Sequence, residues 1–410
     1  MIQNETNLKL YIHIPFCVKK CDYCDFLSFG GRKEEQIESY LESLKEQIKN
    51  MSELLGKREV DSVFFGGGTP TILSAEQIAG LMSELRDHFQ IRDDAEITME
   101  CNPKTAEPEK FQVMRGAGIN RLSIGLQSAV DQELQTLGRV HDRADFEQCF
   151  ADARKAGFDN VNIDLIFGIP GQTPESLKET LDYVCDKDPE HVSAYSLIIE
   201  KGTPFFMRYA QDLQLREAGE TPHMLPDEQT ERAMSKLVQE TLGRAGYEQY
   251  EISNYAKSGH ACVHNLSYWD GSEYLGLGLG ASSLLCVSRD AGTEGKDKRY
   301  IRVRTHDDLN MYLDHNYSST ELFPLSESDR MEEFMFLGLR MMRGIQEKEF
   351  ERRFGQTLSE VYGDVIDGLV KEGLVLCEGE TGERRIWLSE RGCDVSNQVF
   401  VRFLLDDDYD

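Results

Sequence analysis

The chain has 410 residues, with 45 Lys and Arg against 73 Asp and Glu, a formal net charge of −28. A surface of that sign repels phosphate backbones and anionic headgroups, which argues against nucleic-acid binding and general membrane-surface binding. Its 40% hydrophobic residues allow a sizeable core, and its length suggests two or three domains.

The composition also predicts a cytoplasmic location. Residues 1–7 are polar and lack the pattern of a signal peptide. No apolar run reaches the ~20 residues that a membrane-spanning helix needs, so membrane contact is expected only through a client protein. In a reducing compartment the ten cysteines are expected to be metal ligands and buried thiols rather than disulfides.

Strand-like and helix-like segments alternate from residue 8 to about residue 199. The strands are predicted at residues 8–14, 60–65, 95–100, 121–127, 160–167 and 191–199. Helices are predicted at residues 33–55, 145–156 and 174–185, with a further helix after the capping box of Ser74 and Gln77. Six strand–helix units in a row predict a parallel sheet with helices outside it, and they fit part of a barrel or an open sheet equally well.

The regular alternation stops soon after residue 202, which suggests a division of the chain. We expect one domain over residues 1–205, an α/β extension over 206–320 and a C-terminal helical module over 321–410. Residues 358–403 have the order helix–strand–turn–strand–helix, with the turn at 378–382, which is typical of a winged helix. Because a basic recognition helix is missing, we assign this module to packing rather than to DNA binding.

Three cysteines follow the first predicted strand, in Cys17-Val-Lys-Lys-Cys21-Asp-Tyr-Cys24. Thiolates are soft ligands that select zinc or iron–sulfur clusters. A structural zinc site normally has four ligands, and His13, the candidate for the fourth, lies inside the strand. Three thiolates on a cluster of four irons leave one iron open for a substrate. The spacing therefore favours a cluster, with zinc as the alternative.

Glycines and polar residues occur at the ends of the later predicted strands. One strand runs into Gly66-Gly-Gly-Thr-Pro70, where glycines let a ligand approach the backbone closely. Glu100, Gln127 and Asp164 lie at or near the ends of the next three strands. Because ligands bind at the carboxyl ends of parallel strands, we expect all of these to meet the cysteine loop at one rim. For any one of them alone, a strand-end hydrogen bond is the simpler explanation.

Together these motifs resemble radical S-adenosylmethionine (SAM) proteins of the oxygen-independent coproporphyrinogen III oxidase family. The matching segments are residues 11–24, 66–70, 120–127, 138–141, 162–170, 191–196 and 250–254. The resemblance covers essentially the whole chain. It implies a partial (β/α)6 barrel of the radical SAM type with a C-terminal helical, winged-helix-like module.

The resemblance also implies the cofactors and their contacts. Cys17, Cys21 and Cys24 would ligate a 4Fe–4S cluster, whose open iron chelates the methionyl amine and carboxylate of S-adenosyl-L-methionine. The methionine end would be held by the backbone of Gly67, Gly68 and Thr69. The positions that match those around the nucleotide are Tyr11, Glu100, Gln127, Arg139 and Asp164. An electron donor is implied as a partner, because the reduced cluster passes one electron to the sulfonium and releases a 5′-deoxyadenosyl radical.

Two branches of this family differ in function. One oxidatively decarboxylates coproporphyrinogen III, and the other, the HemW-type haem chaperones, binds haem and delivers it to apoproteins. Phe26 stands where the dehydrogenases carry a fourth cysteine, and little sequence precedes the first strand, which together favour the chaperone branch. The dehydrogenase is the alternative function. For the chaperone, whether the nucleotide is cleaved in turnover stays open.

A later motif bears on the haem. His264-Asn-Leu-Ser-Tyr-Trp269 resembles a motif of the chaperone branch that is associated with haem contact, which makes His264 the candidate haem ligand. A structural role at a polar turn is the alternative for this residue. At Gly280-Ala-Ser-Ser283 the chain lacks a histidine expected after the alanine, which argues against a haem or porphyrin role at that position.

Overall fold

A twelve-stranded mixed sheet organises the chain in this computed structural model, which describes residues 7–288, 298–315, 317, 321–380 and 382–405. The strands, in chain order, are β1 Leu8–Ile14, β2 Phe16–Cys17, β3 Phe29–Gly30, β4 Glu59–Gly67, β5 Gln90–Cys101, β6 Arg121–Gln127, β7 Val161–Phe167, β8 His191–Ser196, β9 Glu248–Glu251, β10 Asn254–Ala256, β11 Tyr274–Leu277, β12 Ser282–Ser288, β13 Lys298–Arg304, β14 Glu321–Leu325, β15 Ile345–Gln346, β16 Val375–Glu378 and β17 Arg385–Leu388.

The helices lie mainly between these strands. They are α1 Glu34–Leu55, α2 Ala75–His88, α3 Pro108–Gly116, α4 Asp131–Thr136, α5 Arg143–Lys155, α6 Pro174–Lys187, α7 Pro204–Arg208, α8 Ala210–Glu217, α9 Glu228–Arg244, α10 Val263–Trp269, α11 Leu309–Leu313, α12 Glu327–Gly338, α13 Glu347–Phe354, α14 Leu358–Lys371, α15 Glu390–Asp394 and α16 Ser396–Phe400. Short 3₁₀ helices occupy Pro70–Ile72 and Val401–Phe403.

Six parallel strands form the centre of the sheet, in the order β1-β4-β5-β6-β7-β8. Strand β1 shows why they do so. Its even-numbered residues Leu8, Leu10, Ile12 and Ile14 are fully buried in the main hydrophobic core. Alternate residues of a strand point to opposite faces, so the odd-numbered residues face the inside of the curved sheet. The six predicted strand–helix units and the capping box at Ser74 are confirmed.

The sheet is a partial barrel, as predicted, and not a closed one. Strand β1 pairs on its outer side with β11, and β8 pairs with β10, so strands from after residue 205 extend both edges. The complete order is β14-β13-β12-β11-β1-β4-β5-β6-β7-β8-β10-β9. The domain boundaries given above stay predictions, and the sheet is continuous across the first of them.

The C-terminal region has its own hydrophobic core, formed by buried residues between Met331 and Phe403. Helix α14 is followed by the antiparallel pair β16 and β17, and then by α15 and α16, which is the predicted order. The structure adds β15, which pairs with β17. Within the predicted turn, Thr381 lies outside the described residues.

Among the described residues, no helix is both long and apolar enough to cross a bilayer. Residues 1–6 of the polar N-terminal segment, for which no signal peptide is predicted, lie outside the described residues. The cytoplasmic location stays a prediction.

Candidate functional site

The cysteine loop is held at the carboxyl ends of the parallel strands. The short parallel pair of β2 and β3 closes the loop at its base. At its tip, Asp22 N–H donates to the Leu137 carbonyl at 3.2 Å, and Phe205 N–H donates to the Asp22 carbonyl at 3.0 Å. Cys17, Cys21 and Cys24 are free thiols, each partly exposed. The loop therefore presents three cysteine sulfurs, none of them in a disulfide, at one rim of the sheet.

Two of these sulfurs accept hydrogen bonds from neighbouring strands. Thr69 Oγ1 donates to Cys17 Sγ at 3.5 Å, and Arg139 Nη1 donates to Cys21 Sγ at 3.6 Å. Burial raises the pKa of the Cys17 and Cys24 thiols, and the Thr69 hydroxyl lowers that of Cys17 to a smaller extent. Donors to sulfur favour the thiolate, which is the form that binds metal.

A residue that the sequence did not single out connects these two donors. Asn102 Nδ2 donates to Thr69 Oγ1 at 2.8 Å, and Asn102 Oδ1 accepts from Arg139 Nη2. One hydrogen-bonded chain thus runs from Cys17 through Thr69, Asn102 and Arg139 to Cys21. The available signal was position: Asn102 comes two residues after Glu100, so both side chains leave the end of β5 on the same side.

His13 does not face the cysteines as a fourth ligand. Its Nε2–H donates to the Leu27 carbonyl at 2.9 Å, which leaves Nδ1 to accept from the Tyr11 hydroxyl at 3.0 Å. Both ring nitrogens are therefore engaged, and burial lowers the pKa of the ring. Across the described residues, no group of three or more His, Cys, Asp or Glu side chains is spaced to hold a single metal ion, the three cysteines included.

The glycine loop after β4 packs too tightly for any larger residue. A Cβ at Gly67, which has a φ of 112°, would lie 2.5 Å from the His13 ring, and one at Gly68 would lie 2.6 Å from the Phe16 carbonyl oxygen. The N–H groups of Gly67, Gly68 and Thr69 donate to Glu100 Oε2, the Ile14 carbonyl and the Phe16 carbonyl, respectively. The backbone N–H groups of this loop are therefore not free for a ligand.

Glu100 and Asp164 line the inside of the partial barrel, where both keep some exposed surface although protein surrounds them on most sides. Burial raises the pKa of Glu100 to about 8, with a further increase from the charge of Asp164 and a decrease from the Gly67 N–H. Burial also raises the pKa of Asp164, which accepts from Ser123 Oγ at 3.0 Å and Asn162 Nδ2 at 2.8 Å. Two acidic groups thus share one recess.

Gln127 and Arg139 meet above Gly125 in β6. A Cβ at Gly125 would lie 2.9 Å from Gln127 Nε2 and 3.1 Å from Arg139 Nη2, so only glycine leaves room for both. Gln127 has a φ of 70°, in the left-handed region that costs a non-glycine residue about 1–2 kcal/mol. The register with β7 shifts at the same place. Arg139 Nε is buried and has no acceptor in the described structure.

Tyr11 belongs to the same recess. A Cβ at Gly66 would lie 3.1 Å from both Tyr11 Cε2 and Glu100 Oε1, so these two side chains converge there. The predicted residues that the structure brings to this one rim are Tyr11, Cys17, Cys21, Cys24, Gly67, Gly68, Thr69, Glu100, Gln127, Arg139 and Asp164.

His264 lies deeper in the barrel and is 1% exposed. Its Nδ1 shares a hydrogen bond with the Ser62 hydroxyl at 2.6 Å, and its Nε2 shares one with the Tyr268 hydroxyl at 3.0 Å. The ring stacks on Phe64 with centroids 5.2 Å apart, and burial lowers its pKa to about 3. Neither nitrogen of His264 is available to a haem iron in this arrangement, and its assignment as a haem ligand stays a prediction.

Comparisons with known proteins agree with this architecture. The model of the Radical SAM superfamily matches residues 11–184, and that of the HemN C-terminal domain matches residues 325–395. A Bacillus subtilis protein named "Heme chaperone HemW" is 35% identical over 395 residues, which cover 96% of this chain and 98% of that protein. A Lactococcus lactis protein of the same name is 33% identical, with 97% of each chain covered.

Among solved structures, coproporphyrinogen III oxidase (HemN) from Escherichia coli, described as a radical SAM enzyme, has a TM-score of 0.79. The match has 24% sequence identity and covers 97% of this chain and 90% of that one. At that identity the match establishes the fold.

Proposed function

This chain belongs to the HemW family within the radical SAM superfamily, and from that premise we propose that it is a haem chaperone. It binds a 4Fe–4S cluster, S-adenosyl-L-methionine and haem, and it delivers haem to apoproteins. The observation that carries the proposal is the full-length similarity to curated haem chaperones, which extends over 98% of the Bacillus subtilis relative.

The cluster is assigned to Cys17, Cys21 and Cys24. In support, all three are free of disulfides and face one rim, and two accept hydrogen bonds of the kind that tune the potential of an iron–sulfur cluster. The Arg139 cation beside Cys21 also offsets the negative charge that three thiolates and a cluster bring into a partly buried site.

S-adenosyl-L-methionine is assigned to the recess beside the cluster. Its ammonium group is a donor and needs acceptors. This suits a glycine loop whose N–H groups are already bonded, because each backbone carbonyl oxygen has two lone pairs; that of Thr69 accepts one bond, from Ile72 N–H. Gln127 and Asp164 can bind ribose hydroxyls. Arg139, with a buried Nε that lacks an acceptor, can bind the carboxylate. When bound, the cluster and the nucleotide together would supply one-electron cleavage of the sulfonium, and the recess would shield that chemistry from water.

Phe26 favours the chaperone over the dehydrogenase. It stands at the position of the fourth cysteine and is 69% exposed at the cysteine loop, so no packing requirement explains an apolar residue there. Coproporphyrinogen III dehydrogenase activity is the alternative function, and the assay below separates the two.

The test uses the full chain, reconstituted anaerobically with iron and sulfide. We expect it to bind haem, to transfer haem to a haem-free globin, and to form no protoporphyrinogen when supplied with reductant, S-adenosyl-L-methionine and coproporphyrinogen III. Formation of protoporphyrinogen would support the dehydrogenase instead. An intact cluster with no haem binding would refute the chaperone.

A matched pair of cysteine variants tests the ligand assignment. Cys21→Ala should remove the visible thiolate-to-iron absorbance, whereas Cys185→Ala, at a partly buried cysteine on α6, should keep it. Zinc bound without sulfide in the wild type would refute the cluster.

A further inference from the structure

A large cavity lies between the strands of the extension and the C-terminal helices, away from the cysteine loop. Its volume is about 1030 Å³, and none of the residues assigned to the cluster or the nucleotide lines it. The walls come from the segment that follows α10, from β13, and from α12 and α13. The cavity is at the upper end of the ~300–1,000 Å³ that small-molecule and cofactor sites occupy.

One part of the wall is aromatic. Trp269, Tyr300, Phe334 and Phe354 all line the cavity, and the rings of Phe334 and Phe354 meet edge to face with centroids 5.9 Å apart. Trp269 Nε1 is buried and has no acceptor in the described structure. Such a wall suits a flat, unsaturated ligand.

The lining is basic although the chain is strongly acidic. Five arginines line the cavity against four acids, whereas the chain as a whole has 45 basic and 73 acidic residues. Three of the acids, Glu273, Glu333 and Glu349, already form ion pairs with arginines. The lining therefore offers cationic groups that its own carboxylates do not neutralise.

Two of the arginines are free to bind an anion. Arg330 and Arg343 form no ion pair with the part of the chain that the structure describes. The guanidinium of Arg330 lies 4.0 Å from the Tyr300 ring centroid and 5.4 Å from that of Phe354, so it is positioned by the aromatic wall. Arginine beside an aromatic surface suits a ligand that combines a π-system with carboxylates.

We propose that this cavity is the haem site, with the porphyrin against the aromatic wall and its two propionates on Arg330 and Arg343. This inference rests on the proposed haem-chaperone function and names where the cargo binds. A porphyrin is flat and apolar with two carboxylates on one edge, which is the chemistry that the lining complements. Because the cavity recognises the macrocycle and its carboxylates rather than the metal, metal-free protoporphyrin IX also binds.

The experiment compares protoporphyrin IX with its dimethyl ester, in which both carboxylates are neutral. Binding is measured by absorbance titration of the reconstituted full chain, for the wild type and for Arg330→Gln/Arg343→Gln. The control is Arg232→Gln/Arg244→Gln, which removes the same charge from exposed positions on α9 outside the cavity. Iron content and the unfolding midpoint verify that each variant is folded and loaded.

We expect the wild type to prefer the diacid. The cavity variant should weaken diacid binding by about 10-fold for each arginine and leave ester binding nearly unchanged. The control should behave as the wild type. Equal losses for diacid and ester, or no loss, would overturn the assignment to this cavity while haem binding by the wild type still stood. A wild type that binds no porphyrin would overturn the chaperone function itself.

Discussion

Replacing Asn102 with Ala should release iron from the cluster without unfolding the chain. Asn102 is the middle of the chain of hydrogen bonds that supports two of the three cysteines. Alanine removes both of its bonds. Thr69 and Arg139 are then held beside the sulfurs only by their remaining contacts. The two cysteine side chains that they contact are therefore less firmly positioned.

The size of the effect follows from the bonds lost. One neutral hydrogen bond and one to a charged group are together worth about 2–4 kcal/mol of stability. Arg139 keeps its bond to the Gly125 carbonyl at 3.1 Å, so it is not left wholly unpaired. Residues that support metal ligands typically contribute 10- to 100-fold in metal affinity, and we expect iron release to be faster by that factor. The assay follows the decay of cluster absorbance after addition of a ferrous chelator under anaerobic conditions.

Asn120→Ala is the matched control. Asn120 accepts from Ile97 N–H at 2.8 Å and donates to the Ala95 carbonyl at 2.7 Å, so its removal also costs two hydrogen bonds but touches no cysteine contact. Asn120→Ala should lose about 1–3 kcal/mol against denaturant, somewhat less than Asn102→Ala because both of its bonds are neutral, and only Asn102→Ala should lose iron quickly. Equal rates of iron release would refute the role given to Asn102.

Three further predictions concern the same rim and its surroundings. Gly68→Ala places a Cβ against the Phe16 carbonyl, so it should lower the free energy of unfolding, measured with denaturant, by about 1–3 kcal/mol. Gly80→Ala, in open space on α2, is the control and should not destabilise the chain. Equal stability changes in the two variants would contradict the packing argument. Burial raises the pKa of Glu100 to about 8, so the contribution of Glu100 to stability should fall between about pH 4.5 and 8, where only the unfolded chain has released this proton. Glu100→Gln should reduce the decrease of stability with pH over this range. An unchanged slope of stability against pH would contradict the raised pKa of Glu100. His264→Ala leaves two buried hydroxyls without their hydrogen-bond partner, so it should lower the free energy of unfolding by about 2–4 kcal/mol. Haem affinity should stay within twofold of the wild-type value. A loss of haem affinity in a variant as stable as the wild type would identify the imidazole as a haem ligand.

The sequence predicts the parts of this fold that are encoded locally. The alternating apolar residues of β1, the capping box at Ser74 and the helix begun by Thr173 and Pro174 each depend on neighbours a few residues apart. The strand ends then follow from topology, which is why Glu100, Gln127 and Asp164 could be assigned to one rim before their contacts were known.

The remainder depends on pairing between distant segments. Strand β11 pairs with β1 although more than 260 residues separate Lys9 from its partner Tyr274, and its glycine-rich sequence has no strand periodicity that would reveal this. Asn102 resembles any polar residue after a strand until its two partners are in place. The arginines of the cavity come from α12, the turn before β15, α13 and β17, and no spacing along the chain connects them to Trp269.

Helix α10 carries both His264, which packs inside the barrel, and Trp269, which lines the cavity, and the geometry of the helix keeps these two side chains apart. Glu96 accepts from the N–H groups of Val263 and His264, which anchors the start of the helix inside the barrel. His264 and Trp269 are five residues apart, so at 100° per residue their side chains point about 140° apart around the axis. His264 accordingly stacks on Phe64 in the barrel, and Trp269 lines the cavity. A flat ligand on Trp269 cannot be ligated by His264 while this helix is intact, so haem binding that survives His264→Ala and fails in Arg330→Gln/Arg343→Gln would assign the cargo to the cavity.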